Sequence, residues 1–202
     1  MSEVFDWVHK AELQPEPITV DIWKQLPEEF CRQVEVVGGQ AVRCEPPSRL
    51  HQTMARRLTN MLESAARRHT ARTQESLEAN SDFDVVLWEL PRTHIRRPDA
   101  ALFRCAPEDE KPLPAHLVLL AVEVLSGNLR VDTVDKCAEY AAAGIPWYWI
   151  VSLDDQGVSS IEILALDHGI GGYRRVCLLE PGAVTRAEGP ILVRLDWDQL
   201  RS

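Results

Sequence analysis

A glutamate inside an otherwise apolar run is the first place where this sequence writes chemistry into its pattern. Glu123 lies in LVLLAVEVL (117–125), between Val122 and Val124. A lone carboxylate is costly to bury unless it is paired, protonated or bound to a cation. Two readings are open: a strand covered on both faces, with a compensating cation at Glu123, or a structural carboxylate, either on an edge strand facing solvent or in a salt bridge to an arginine. Asp99 opens the preceding β-prone run, in RRPDAALF. A Pro-Asp pair by itself marks a turn. On a strand beside that of Glu123, however, it brings a second carboxylate to the same point. Hard oxygen donors of this kind suit Mg²⁺ or Mn²⁺, and such an ion polarises a phosphoryl oxygen and activates water at neutral pH. Lys136, in VDTVDKCAEYAAAGIP, is the third group. A lysine at such a site orients the attacking water or offsets transition-state charge; otherwise it is a solvated helix lysine with Asp132 as its i−4 partner.

The elements that must position these groups can be read in order. Residues 1–17 look like a loose leader, and 18–30 a short helix with Thr19 or Asp21 near its start. VEVV (34–37) and QAVRC (40–44) flank Gly38-Gly39 and read as a hairpin. After Pro46-Pro47, Ser48 is a good N-cap. Leu50, Met54, Leu58, Met61, Leu62 and Ala65 then form one helical stripe of about five turns, with Arg56, Arg57, Arg67, Arg68 and Arg72 off it. Three β-prone runs follow, FDVVLW (83–88), DAALF (99–103) and LVLLAVEVL, the last continuously apolar as a central strand should be. Val131–Ala143 reads as a helix stopped by Gly144. WYWIVS (147–152) is another buried strand, and SSIEILAL, YRRVCLL and ILVRL form a β-rich tail, read as a meander. The order predicts an α/β fold, a mixed β-sheet flanked by helices with a C-terminal β extension, in a single domain over 18–202.

Composition narrows the setting. The 202 residues suit one domain, and 45% apolar content is enough for a core. No run of about 18 uncharged apolar residues appears, and the first residues lack the apolar centre of a signal peptide. A cytoplasmic location with no membrane partner is therefore expected. The five cysteines are odd in number and scattered, without zinc spacing, and read as small buried hydrophobes. A net charge of −9 argues against a general nucleic-acid coat protein. From Arg43 to Arg104, though, eleven Lys/Arg stand against eight Asp/Glu, so a nucleic-acid face belongs in the middle of the chain.

The motifs together resemble the PD-(D/E)XK nuclease superfamily, and within it a branch of bacterial endonucleases called the Uma-two family. That branch typically has a glutamate before a Gly hairpin, a Pro-Pro-Ser loop with a following His, RxPD and EVxS. It then shows D-x3-K-x3-Y-x3-G-I/V-x2-Y-W-I-V. This chain has VEVVGG (34–39), PPSRLH (46–51), RRPD (96–99) and VEVLS (122–126), then Asp132, Lys136, Tyr140 and GIPWYWIV (144–151). The resemblance spans roughly 18–155. It implies a restriction-endonuclease-like fold, with Asp99 and Glu123 as metal ligands and Lys136 as the third catalytic group. It makes Glu35, His51 and Asp132 accessory positions, each open to a structural role as well. The superfamily's E-x-K lysine falls on Leu125 here, and the branch carries its lysine on the helix instead. Tyr140 and the Trp147, Tyr148, Trp149 cluster read as packing rather than substrate stacking.

The leading functional expectation is a Mg²⁺- or Mn²⁺-dependent endonuclease acting on DNA. Arg56 and Arg57, with Arg96 and Arg97 of the RTHIRR run, would position the phosphate chain without reading bases. Cutting both strands of a duplex would favour a homodimer. Two alternatives stay open: a nuclease-fold binding or assembly module with little catalysis, and a hydrolase of smaller phosphate esters, which suits the acidic balance better.

Overall fold

Proline and glycine divide the N-terminal region of the chain. The computed structural model describes residues 16–125, 130–182 and 185–201, with the backbone alone at 130–133; most of the expected leader lies outside that range. The helix expected over 18–30 is two single turns, α1 (Val20–Trp23) and α2 (Glu28–Cys31), because Pro27 has no N–H to continue the first and instead begins the second. Next come β1 (Val34–Val37) and β2 (Gln40–Arg43), an antiparallel hairpin in the expected register. Gly38 and Gly39 both take positive φ, 58° and 80°, as the tight primed turn demands.

The arginine-rich helix α3 spans Arg49–Thr73, and the Ser48 hydroxyl accepts from His51 N at 3.2 Å at its start. Its buried stripe includes Met54, Leu58, Met61, Leu62 and Ala65. The helix runs two turns past that stripe, to a left-handed Gln74 at φ 64°. Then follow β3 (Leu77–Asn80), β4 (Val85–Trp88), β5 (His94–Arg96), β6 (Ala100–Arg104), β7 (Leu113–Pro114) and β8 (Val118–Leu125). Helix α4 (Arg130–Ala142) crosses to β9 (Trp147–Asp154), which pairs parallel with β8. The chain continues through β10 (Gly157–Asp167), β11 (Gly172–Leu179), β12 (Arg186–Ala187) and β13 (Val193–Arg194) to α5 (Trp197–Leu200).

The strands form a mixed six-stranded sheet, ordered β11-β10-β9-β8-β6-β3, and a five-stranded sheet, ordered β2-β1-β5-β4-β7. In β8 alternation divides the apolar payload. Leu120, Val122 and Val124 join α3 in one core, and Ala121 packs with Tyr140 and Tyr148 on the other face. Glu123, two residues from Ala121, is on that second face. The tail supplies an antiparallel β9-β10-β11 meander as expected, but ILVRL departs from it: β13 pairs only with β12, in a separate ribbon. The cysteines also depart from expectation. Cys31 alone is buried, and Cys105 is exposed, its thiol donating to Glu78 at 2.8 Å. Among the described residues no helix is long and apolar enough to cross a membrane.

Candidate active site

Antiparallel pairing brings the two carboxylates of the sequence argument side by side. Ala100 pairs with Val122 across β6 and β8, so Asp99 and Glu123 occupy the next position of the ladder. Asp99 Oδ2 accepts the backbone N–H of Val124 at 2.6 Å and meets His51 Nε2 at 3.1 Å. The Ser48 cap sets the first turn of α3 and thereby aims His51 at the strand ends. Burial opposes protonation of His51, but the hydrogen bond and charge of Asp99, with the charge of Glu123, outweigh it and hold the imidazole above its ordinary value. Its Nδ1 is buried without a partner among the described residues.

Glu123 is 7% exposed. Lys136 Nζ lies 3.3 Å from its Oε2, and the Tyr140 hydroxyl donates to its Oε1 at 2.8 Å. Burial, joined by the like charges of Asp99 and Glu35, pushes its carboxyl well above the usual range, and Lys136 and Tyr140 oppose this only in part. Lys136 therefore lies over Glu123 from the helix, as the relocated lysine requires. Its ammonium is also 3.3 Å from Glu35 Oε1, so it bridges a glutamate from each sheet. Of the structural readings of Glu123, the solvent-facing edge does not hold, since β8 is central and the carboxylate is enclosed, and its ion pair is with Lys136 rather than an arginine.

Glu35 belongs to a further network. Its Oε2 accepts Arg96 Nη1 at 2.6 Å, and its Oε1 accepts the backbone N–H of Arg97 at 3.0 Å. Arg96 turns the rest of its guanidinium to Glu139 on α4, at 2.6 and 2.8 Å, and His94 Nε2 is 3.0 Å from the same carboxylate. Burial works against ionisation of Glu35, but Lys136 and Arg96 hold it below the ordinary value. Glu139 is pushed up by burial and drawn down further by His94 and Arg96, to about 2.

The expected phosphate-positioning arginines separate in the structure. Arg96 is 5% exposed, its charge consumed by two carboxylates, and Arg97 binds Asp84 at 2.7 Å and the Cys31 carbonyl. Both act as struts, because the centre of the RTHIRR run is the buried strand β5 (His94–Arg96), set between acidic partners. Arg57 is half-buried and donates to the backbone carbonyls of Gln199 and Arg201. Arg56 alone of the four is exposed. The side chains of Asp132 and Ser126 lie outside the described residues. Tyr140 and Tyr148 are packed as read, with rings 5.5 Å apart, but the Tyr140 hydroxyl also serves Glu123. Glu139 escaped sequence reasoning, and Tyr140 was read as packing without its bond to Glu123. Their signal was the spacing Lys136, Glu139, Tyr140, i, i+3 and i+4, which places three polar groups on one helix face.

The donor set fits a hard divalent cation. Asp99 Oδ1 has no partner among the described residues, and three carboxylates crowd one ammonium and one guanidinium. No three His, Cys, Asp or Glu side chains converge as a ready-made cage among the described residues. Mg²⁺ usually takes one or two protein carboxylates and keeps its other positions for water and substrate oxygens.

Comparison with known proteins shows the family and the fold. Residues 23–192 match the family Uma2, described as "Putative restriction endonuclease". Among solved structures the chain is similar to one described as a "putative nuclease belonging to DUF820 from Anabaena variabilis ATCC 29413". The TM-score is 0.57 at 14% identity, covering 84% of this chain and 88% of that one. At that identity the likeness speaks for the fold. No curated protein matches the chain.

Proposed function

Because the chain belongs to the Uma2 family of "putative restriction endonucleases", we propose that it is an endonuclease that hydrolyses DNA phosphodiester bonds with the help of Mg²⁺ or Mn²⁺. The observation that carries this reading is the meeting of half-buried Asp99, just before β6, with buried Glu123 on β8 and Lys136 on α4. Asp99 and Glu123 would hold the cation, which supplies Lewis-acid polarisation of the phosphoryl oxygen when bound. Lys136, anchored by Glu35 at 3.3 Å, would offset the negative charge that develops on phosphorus oxygens. His51, hydrogen-bonded to Asp99, fixes the orientation of that carboxylate, and Tyr140 fixes that of Glu123.

The test is Mn²⁺ and Mg²⁺ calorimetry on the wild type and Glu123→Gln, with plasmid nicking in parallel. Binding and nicking that both vanish in the variant support the reading. Binding without nicking moves the substrate to a smaller phosphate ester. A wild type that binds neither ion at millimolar concentration refutes it and leaves a binding module.

A further inference from the structure

The two arginines of the C-terminal ribbon face each other. Arg186 on β12 and Arg194 on β13 are direct cross-strand partners. Both are exposed, whereas the adjoining pair, Ala187 and Val193, is buried. The two guanidinium side chains therefore stand on one outer face. Like charges directly opposite one another destabilise a ribbon. Neither arginine has a carboxylate within ion-pair distance among the described residues. Arginines elsewhere in the tail are treated differently: on β11, Arg174 lies 3.5 Å from Asp167 and Arg175 lies 3.7 Å from Glu162.

Arg186 and Arg194 also line a groove of about 920 Å³, together with Arg201, Trp197, Asp196 and Asp198. Arg201 is itself paired with Asp154 at 3.6 Å, so Arg186 and Arg194 are the arginines of the lining without an ion-pair partner among the described residues. Asp196 serves as the N-cap of α5, accepting from Gln199 N at 3.3 Å. The groove is tied to the candidate active site through α3, because Arg57 holds the carbonyls of Gln199 and Arg201. His51 lies six residues earlier on that helix, about 9 Å along its axis. Arg49 and Arg56, seven residues apart and so on one face of α3, are exposed and have no acidic partner among the described residues.

We propose that this groove is a track for the phosphate backbone of a nucleic-acid strand, with Arg186 and Arg194 contacting phosphates remote from the one that reacts. An approaching polyanion relieves the repulsion between the two guanidinium groups and gains both as donors. The proposal rests on the nuclease reading and narrows its substrate to a polymer that contacts the ribbon as well as the candidate active site.

The test measures binding of a fluorescein-labelled DNA duplex by anisotropy in EDTA, so that no cleavage is needed, across a salt series. Replacing both arginines, Arg186→Gln with Arg194→Gln, should lower the slope of log K against log salt by about 1.8, at about 0.9 per phosphate contact, which weakens binding about 60-fold at 0.1 M salt. The single change Arg186→Glu should abolish most binding yet melt no lower than the wild type, because it converts a repulsive cross-strand pair into an attractive one. Unchanged affinity and slope in the double variant overturn the track, as does a wild type that fails to bind at low salt. Adding Mg²⁺ separates the two readings. Wild-type cleavage together with unaltered binding in the variants refutes the track alone, whereas ribbon-dependent binding without cleavage under any divalent ion refutes the nuclease alone.

Discussion

Replacing Arg96 by methionine preserves much of the side-chain volume and removes the charge that two carboxylates share. Arg96 is 5% exposed, and its guanidinium makes bonds of 2.6 Å to Glu35 and of 2.6 and 2.8 Å to Glu139. Taking one partner from a buried ion pair strands the others without water, a loss of roughly 3–5 kcal/mol. Glu35 keeps Lys136 and the Arg97 N–H as partners. Glu139 keeps only His94, so most of the loss falls there. With a urea slope near 2 kcal/mol per molar, the midpoint should drop by about 1.5–2.5 M. Adding Glu139→Leu to Arg96→Met removes the stranded charge and should restore at least half of that drop. Arg96→Lys should restore less, because an ammonium lacks the planar fork that reaches both carboxylates. A loss below about 1 kcal/mol for Arg96→Met, or no recovery in the double variant, would refute the assignment of Arg96 as an internal strut.

Three further outcomes follow from the same geometry. The Glu139 carboxyl is held at about 2 against an ordinary 4.5, so its contribution to stability is complete above the ordinary value and is lost as pH falls from 4.5 toward 2. The melting-temperature gap between wild type and Glu139→Gln should accordingly narrow across that window, and a gap independent of pH contradicts the pairing. Tyr140→Phe deletes the 2.8 Å bond to a buried carboxyl group and should cost about 1–3 kcal/mol in chemical denaturation, with loss beyond that range pointing to repacking instead. Gly157→Ala, at φ 124°, would drive a Cβ against the backbone of Leu200 and Arg201. It should melt several degrees lower and loosen α5, read as faster proteolysis near the C-terminus; an unaltered melt excludes that close approach.

The sequence was most legible where the pattern is local. Helix α3 declares itself through a 3.6-residue stripe, and β8 through an unbroken apolar run, and both predictions came within a residue or two at the start of each element. The Gly38-Gly39 hairpin was equally plain, since its turn requires the two positive φ values that glycine supplies. RTHIRR was misread for a physical reason. Four cationic or titratable residues in six look solvated until their partners are known, and those partners lie 61 residues earlier at Glu35 and 43 later at Glu139. No window of local sequence contains that information. The division of the strands into two sheets, and the short β3 and β5, depend on the same long-range pairing.

Helix α4 explains why the lysine can leave its superfamily position without leaving the site. In an E-x-K strand the lysine would sit at 125, on the same face as Glu123 and two residues along. Here that position is Leu125, and the ammonium arrives from above, on a helix that follows the strand. The proposed chemistry needs a cation at a point in space, and Lys136 Nζ lies 3.3 Å from Glu123. A long side chain on a helix is less constrained than one on a strand, so something must fix it. The inward face of α4 supplies the constraint. Lys136 engages Glu35 and Glu123, Glu139 engages Arg96 and His94, and Tyr140 engages Glu123. Three successive contact positions therefore tie one helix to both sheets. The same contacts account for an otherwise costly choice, a helix that buries Lys136 and Tyr140 and half-buries Glu139 where apolar side chains would pack more cheaply. Each of the three finds a partner of complementary chemistry, and together they hold the amine in register with the carboxylates it serves.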